Sequence, residues 1–551
     1  MRLAMSELSA RVCSIVFFGG LVAAACAAPG DVQRSIQSPC SYPVGIAADG
    51  SHLYVADWRV AKIFWVNTRD GKIGRTFDAP TLKPHGLTFG EGRVFVSDDH
   101  TGWIYAMNPT TGLVEKSFEA PGPKAVGLAH TQRLLLFVLE RKSNKIYLVT
   151  SDDGTIINTF DAPTKTSTCM TFDEQYLWVA DRVKDELYRL DPRDGTVLGI
   201  LDAPGPHAVG LAWIEGRLWN ADFQTRKLYE LTIEDTQTYR LDDPREARVE
   251  FVWGLYNYGP GSVRDLVVYL ALPPILPGQE ILSDIRFSEP PVKFLHDRWG
   301  QRCAEFKVFD VPSGSRQLFS YSVDARISAI RYLIDPAKAG TLQDVPHEIR
   351  EQYTAEGARY RVGSPFIQDQ VKQIVGDEQN CYWVARKIYN HLIQTLSYQM
   401  IGGWDVPEVV LKRGTGSCSE YTFAFIALCR AAGLPARYQG SVAVRGDEAS
   451  IDEPHHRWAE VYLPNYGWIP VDANRGDKES PADQARGFGE LRNHFLITTQ
   501  GGGASEYLGW NYNHRATYSA TGYCKIETES VAFWEPLKKA DAADPEDNEE
   551  N

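Results

Sequence analysis

A phrase that returns every 41 or 42 residues dominates the first half of this chain. Phe77-Asp78-Ala79-Pro80 comes back as Phe118-Glu119-Ala120-Pro121, Phe160-Asp161-Ala162-Pro163 and Leu201-Asp202-Ala203-Pro204. A second phrase, Leu53-Tyr54-Val55-Ala56-Asp57, keeps the same step. It returns as Val94 to Asp98, and later copies end at Glu140, Asp181 and Asp222. A repeat near this length, built from short strands that alternate apolar and polar residues, has few solutions. It predicts the blades of a β-propeller, with about four strands in each. Asp70-Gly71, Asp153-Gly154 and Asp194-Gly195 mark tight turns, because Asp-Gly supplies the positive φ that hairpins need.

The repeated region resembles the NHL and YVTN families of propellers and is expected over residues 30–244. Five units are clear. Val32 to Ser38 or Tyr239 to Asp242 are the candidates to close the ring, so five or six blades stay open. The recurring acidic residues invite a ring of metal ligands; the alternative is that each accepts backbone N–H groups at a strand end. As a platform the propeller suits a protein or glycan partner, although fold alone names none.

At 551 residues the chain is too long for a single core. A net charge of −14 argues against a nucleic-acid partner, since affinity for phosphate comes from clustered Lys and Arg. Residues 537–551 are read as a disordered acidic tail, since the stretch Asp541 to Glu550 is acidic and lacks large apolar side chains. Residues 1–28 read as an export signal, with Arg2 and Arg11 before the apolar Val12 to Ala25. Two cleavage readings remain: a permissive lipobox that leaves Cys26 lipidated, or small-x-small cleavage at Ala25-Cys26-Ala27. The expectation is an exported bacterial protein, periplasmic or held at the outer membrane or cell surface as a lipoprotein. Cys40, Cys169, Cys303, Cys381, Cys418, Cys429 and Cys524 are scattered, without a C-x-x-C pair, which predicts no zinc site. One or two disulfides are compatible with export, but their pairing is not legible.

Past Pro244 the period is lost. Val249–Trp253, Leu266–Leu272 and Phe319–Val323 look like strands broken by Gly and Pro, which predicts a β-sandwich over residues 245–340. The stretch Asn257 to Gln279, followed by Asp297-Arg298-Trp299-Gly300, resembles the β-domain that often precedes bacterial transglutaminase-like cores.

The chemistry concentrates between residues 365 and 475. Asn380 to Leu396 has helical spacing. Gly414-Thr415-Gly416-Ser417-Cys418 leads into a second helix that stops at Gly433-Leu434-Pro435, so Cys418 sits at a helix N-terminus with Ser417 as its cap. There the unpaired N–H groups and the helix dipole favour thiolate over thiol. His455 to Leu463 alternates as a strand, and Trp468 to Asp472 follows a turn. If the hairpin centres on Asn465, Asp472 lies opposite Trp458, diagonal to His456 on the same face. A register shifted by one would send Asp472 to the other face and make His455 the candidate base. The combination reads as a nucleophile, a base and an orienting carboxylate: Cys418, His456 and Asp472.

Gly414 to Tyr421, Arg430 to Arg437, His456 to Tyr462 and Tyr466 to Asp472 together resemble the transglutaminase-like superfamily over residues 365–500. The resemblance implies an α+β papain-like core, expected over residues 341–536. It implies Cys418 as nucleophile, His456 as base, Asp472 as orienter, and no cofactor. The family's phrase usually reads His-Ala-Trp, and Arg457 stands here in place of the small residue. Tyr398 and Trp404 occupy the stretch where the family often places an aromatic near the oxyanion. The whole is therefore expected to be a multidomain exported enzyme acting on protein or peptide amides, by hydrolysis rather than crosslinking. The rival is a catalytically silent binding protein of the envelope.

Overall fold

A computed structural model describes residues 28–131, 133–233, 237–400, 404–443, 450–452 and 455–537. Residues 1–27, which hold the expected export signal and Cys26, and the acidic residues 538–551 lie outside the described residues.

The repeats fold into five four-stranded antiparallel sheets. Four are built from consecutive strands, spanning Pro43 to Asp78, Pro84 to Glu119, Ala125 to Asp161 and Ser167 to Asp202. The fifth takes Ala208–Ile214, Arg217–Asp222 and Lys227–Leu231, and its outer strand is Val32–Gln37 from the start of the domain. The ring is thus closed by its N-terminal strand at five blades. Tyr239 to Asp242, the other candidate, pairs instead with Ala329 to Tyr332. Innermost strands adjoin one another around the axis and are buried almost throughout, as in Ala125–His130. Outer strands such as Ile73–Asp78 are mostly exposed, whereas the outer strand of the fourth blade, Val197–Asp202, is largely buried.

The recurring carboxylates are strand-end caps. Asp57 accepts the N–H groups of Arg59 at 2.8 Å and Val60 at 3.1 Å. Asp98 accepts those of His100 and Thr101, Glu140 those of Lys142 and Ser143, Asp181 those of Val183 and Lys184, and Asp222 that of Thr225.

The second unit is one continuous sheet folded on itself. Its central strand, Tyr239–Ala271, pairs with Ser315–Tyr332 along its first half and with Arg302–Val311 along its second. Those two partners are consecutive in the chain, joined across residues 312–314, yet they bond to opposite halves of the same strand and not to each other. Phe306 and Phe319 meet between them, with ring centroids 4.7 Å apart. Val249, Phe251, Trp253, Val268 and Leu270 complete this interior. The expected boundaries need correction: the unit begins at Tyr239, and it recruits His514–Pro536, which pairs along Ala247 to Leu270. That last strand is largely exposed and rich in Ser, Thr and Glu, so it lacks the apolar alternation that marks a strand in sequence.

The third unit packs helices on a four-stranded sheet ordered Gly467–Val471, His455–Leu463, Ala436–Ala443, Phe495–Gly501. Cys381–Thr395 is capped by Asn380, whose side chain accepts the Trp383 N–H at 3.1 Å. Cys418–Ala431 runs through the middle, with every residue from Ser419 to Arg430 buried, as expected of the central helix of a core. The propeller docks through its fourth blade. The short helix Pro481–Ala485 packs there, Lys184 pairs with Asp483 at 2.8 Å, and Arg486 pairs with Glu186.

Candidate active site

The chain enters the helix Cys418–Ala431 through a tight passage. Helix Pro407–Arg413 ends at Gly414 in the left-handed conformation (φ 76°), and Thr415–Gly416 pairs in parallel with Ser397–Tyr398. A Cβ on Gly416 would stand 3.2 Å from the Glu420 Cβ and 3.3 Å from Val410, which explains the glycine. Ser417 holds the N-cap, and the buried Glu420 carboxylate accepts its N–H at 2.9 Å. Arg413 reaches Glu420 at 3.0 Å and offsets its charge. Cys418 is therefore the first residue of the helix, where N–H groups lack intrahelical partners.

The pairs from Ala459↔Val471 to Leu463↔Gly467 centre the hairpin on Asn465 and put Asp472 diagonal to His456. The imidazole Nε2 and the Asp472 Oδ2 are 2.6 Å apart. That bond leaves Nδ1 for the Cys418 sulfur, with which His456 is hydrogen-bonded. Asp472 is itself fixed, its Oδ1 accepting the Arg475 N–H at 3.1 Å and its own N–H bound to the Gly487 carbonyl at 2.7 Å. Phe495 stacks on the imidazole at 5.4 Å.

These contacts set the protonation. Burial works against the Cys418 thiolate, but the hydrogen bond and charge of His456, with the N–H and charge of Arg457, outweigh it and hold the thiol below its ordinary value. Burial likewise disfavours the imidazolium, yet the Asp472 charge and hydrogen bond push His456 up to about 10. Burial alone would raise Asp472, but the charge and hydrogen bond of His456 lower it. At neutral pH the three groups therefore favour a thiolate–imidazolium pair beside a carboxylate.

They open onto a cleft of about 1050 Å³ whose walls include Tyr398, Arg475 and Arg492. Tyr398 is 45% exposed on that wall. Trp404 turns behind the strand, its ring 4.8 Å from the Arg457 guanidinium. His455 is bound through Nε2 to Ser530 at 3.0 Å and packs on Phe251 of the folded sheet.

The model of the transglutaminase-like superfamily matches residues 368–473. The C-terminal unit is transglutaminase-like. An uncharacterised protein of Haemophilus influenzae is 26% identical over 198 residues, covering 29% of this chain and 53% of that protein. A protein-glutamine gamma-glutamyltransferase of Pseudomonas aeruginosa is 28% identical over 114 residues, covering 19% of this chain and 17% of its own length. This chain thus spans about half the length of the first relative and far less of the second. Among solved structures, a candidate cysteine protease of Cytophaga hutchinsonii is similar at 17% identity and a TM-score of 0.37, over 53% of this chain and 92% of that one.

Within the transglutaminase-like unit, the fold places the side chains of Cys418, His456 and Asp472 in one hydrogen-bonded row. The local sequence pattern does not reveal Asp477, whose Oδ2 accepts the Tyr398 N–H and the Tyr421 hydroxyl, both at 3.2 Å, tying the cleft wall to the helix. Nor does it reveal Phe495 and Tyr512, which arrive from distant segments that carry no motif. Cys429 and Cys381 are fully buried, and burial raises both thiols, to about 12 for Cys381. All seven described cysteines are unbridged.

Proposed function

We propose that this protein is an exported cysteine enzyme of the bacterial envelope that performs acyl transfer on protein or peptide amides. The hydrogen-bonded sequence of Cys418, His456 and Asp472 at a helix start carries the reading. The Cys418 thiolate attacks the amide carbonyl, and the S–C bond forms as the carbonyl oxygen gains charge. The N–H groups at the helix start stand ready for that oxyanion. His456 gives its proton to the nitrogen, the C–N bond breaks, and amine or ammonia departs. A thioester remains on Cys418. Water, losing a proton to His456, then attacks the thioester, giving a carboxylic acid and returning the thiolate. An amine in place of water would give a crosslink. The open cleft and the abundance of water favour hydrolysis. Asp472 holds the ring with Nδ1 toward sulfur throughout. The propeller serves as a platform for a protein or glycan partner near the substrate, and the chain is held by lipid at Cys26 or released after cleavage.

Two measurements test this. Iodoacetamide at mildly acidic pH should label Cys418 ahead of the other six described cysteines. Glutamine-containing peptides should release ammonia or a peptide fragment, with added amine incorporated only as a minor product. Absence of labelling together with absence of release would remove the enzyme reading.

A further inference from the structure

The cleft that opens on Cys418 holds unmatched charge of one sign. Two carboxylates line it, Asp472 and Asp477, and both are engaged. Asp472 binds the His456 ring and accepts the Arg475 N–H. Asp477 accepts the Tyr398 N–H and the Tyr421 hydroxyl. Three cationic side chains, Arg475, Lys478 and Arg492, line the same cleft. Arg475 is matched, since it pairs with Glu490 at 2.6 Å. Glu490 has little left for a further cation, because Arg331 and Arg486 also reach it, each at 3.4 Å. Lys478 and Arg492 are exposed, and among the described residues neither side chain has a hydrogen bond or an ion pair.

These cations stand beside the reacting groups. Arg492 lies three residues before Phe495, whose ring stacks on the His456 imidazole at 5.4 Å, and three residues span at most about 10 Å. Lys478 directly follows Asp477, which is anchored to the helix that begins at Cys418. Repulsion by Arg475 is the largest influence on the Arg492 guanidinium and lowers its pKa, in keeping with a wall where cations are in excess.

That excess is not the background of this molecule, whose net charge is −14. Salt screens exposed charges beyond about 10 Å, so a substrate seated in the cleft responds to the cations next to it. A guanidinium presents a planar fork that matches a carboxylate, and an ammonium adds a compact second charge. We propose that the cleft selects acidic peptides, with Arg492 and Lys478 holding side-chain carboxylates of residues that flank the amide attacked by Cys418. This inference rests on Cys418 being the nucleophile.

The test is kcat/KM of the full-length protein at low ionic strength on three glutamine peptides. They differ only in the residues on both sides of the glutamine, which are Glu, Ala or Lys. The Glu peptide should exceed the Ala peptide about tenfold, since each exposed pair is worth up to about fivefold, and the Lys peptide should be the poorest. The advantage should sit in KM, because the pairs exist before and during the reaction, and it should shrink in high salt. With Arg492→Gln and Lys478→Gln together, the Glu-to-Ala ratio should fall to about one. With Arg492→Glu and Lys478→Glu together, the order should invert in favour of the Lys peptide. Each ratio is taken within one protein, so partial loss of folded material cancels. Equal turnover of the Glu and Ala peptides by the wild-type protein overturns the proposal, as does a Glu preference that survives the double glutamine variant. Release of neither ammonia nor a fragment from any of the three peptides would instead remove the enzyme reading, and this inference with it, a result distinct from turnover without acid preference.

Discussion

Asp181 in the propeller and Asp472 in the core are both buried carboxylates with several hydrogen bonds, but their partners differ in kind. Asp181 accepts the N–H groups of Val183 and Lys184 and the hydroxyls of Thr164 and Thr166. None of those donors titrates near neutrality, so the carboxylate can do no more than hold a turn, and the same job recurs in every blade. Asp472 shares its oxygens between the Arg475 N–H and the His456 ring. That ring titrates and touches a thiol. A buried acid is structural or chemical according to what it binds, and depth of burial does not distinguish the two.

The difference is sharpest for the groups Asp472 serves. Cys418→Ser or His456→Ala should lower kcat/KM on the order of 10⁴-fold or more, with the unfolding midpoint little changed, because a nucleophile and its base act as a unit. His455→Ala should cost less than about threefold, since its hydrogen bond to Ser530 is worth only about 1 kcal/mol of stability. Steady-state kinetics on a glutamine peptide would check all three. If His455→Ala were the damaging one, the residue that faces the folded sheet would be the base.

Asp472→Asn should cost on the order of 10²- to 10⁴-fold, through loss of the ring's orientation and charge partner. His456 now retains its proton up to about 10 because Asp472 opposes the effect of burial. Without the carboxylate its pKa should fall toward or below the ordinary histidine range, and the alkaline limb of the kcat/KM profile should move down with it. An unmoved alkaline limb would show that Asp472 acts no differently from the propeller acids.

Asp181→Ala is the converse experiment and should touch stability alone. Burial opposes the ionised form, but hydrogen bonds from Thr164, Thr166, Lys184 and Val183 prevail and its folded-state pKa is depressed. A depressed carboxylate stabilises above its unfolded pKa, and that stability is lost as pH falls through the folded value. The variant should be less stable by about 1–3 kcal/mol at pH 7. The gap to wild type should narrow in acid, as unfolding curves at the two pH values would reveal. Activity per folded molecule should not change.

How far the sequence discloses these roles depends on distance along the chain. The blade period is written in local phrases, so the propeller is legible. Closure is legible only as a choice between Val32 to Ser38 and Tyr239 to Asp242, because the closing strand carries no copy of the phrases and pairs with Lys227–Leu231 almost two hundred residues later. The site is legible for the same local reason: a helix start fixes Cys418, and a three-residue turn, Pro464 to Tyr466, sets Asp472 against His456. The cage around Arg457 draws its rings from residues 404, 423, 438 and 512, which share no spacing. The strand His514–Pro536 escapes because its exposed faces need no apolar alternation.

The smallest effect should come from the largest deletion. None of the residues lining the cleft belongs to the propeller; they run from Ser397 to Phe495. A fragment of residues 239–537 keeps the folded sheet together with its last strand, and it should hydrolyse a small peptide within about threefold of the full protein. Its docking surface loses the Lys184–Asp483 pair, whose side chains are 35% and 40% exposed, worth about 0–1 kcal/mol. Arg486 loses Glu186 but keeps Glu490 at 3.4 Å, so no buried cation is orphaned. A fragment of residues 365–536 is a different matter: His514–Pro536 would lose the strand it pairs with from Ala247 to Leu270, and the unit should not fold. Kinetics on a short peptide and on a large protein substrate, for the 239–537 fragment and the intact chain, separate the contributions. A platform predicts a loss confined to the large substrate. A tenfold loss on the short peptide would mean that the propeller shapes the site, and the division between a structural and a chemical half of the molecule would fail.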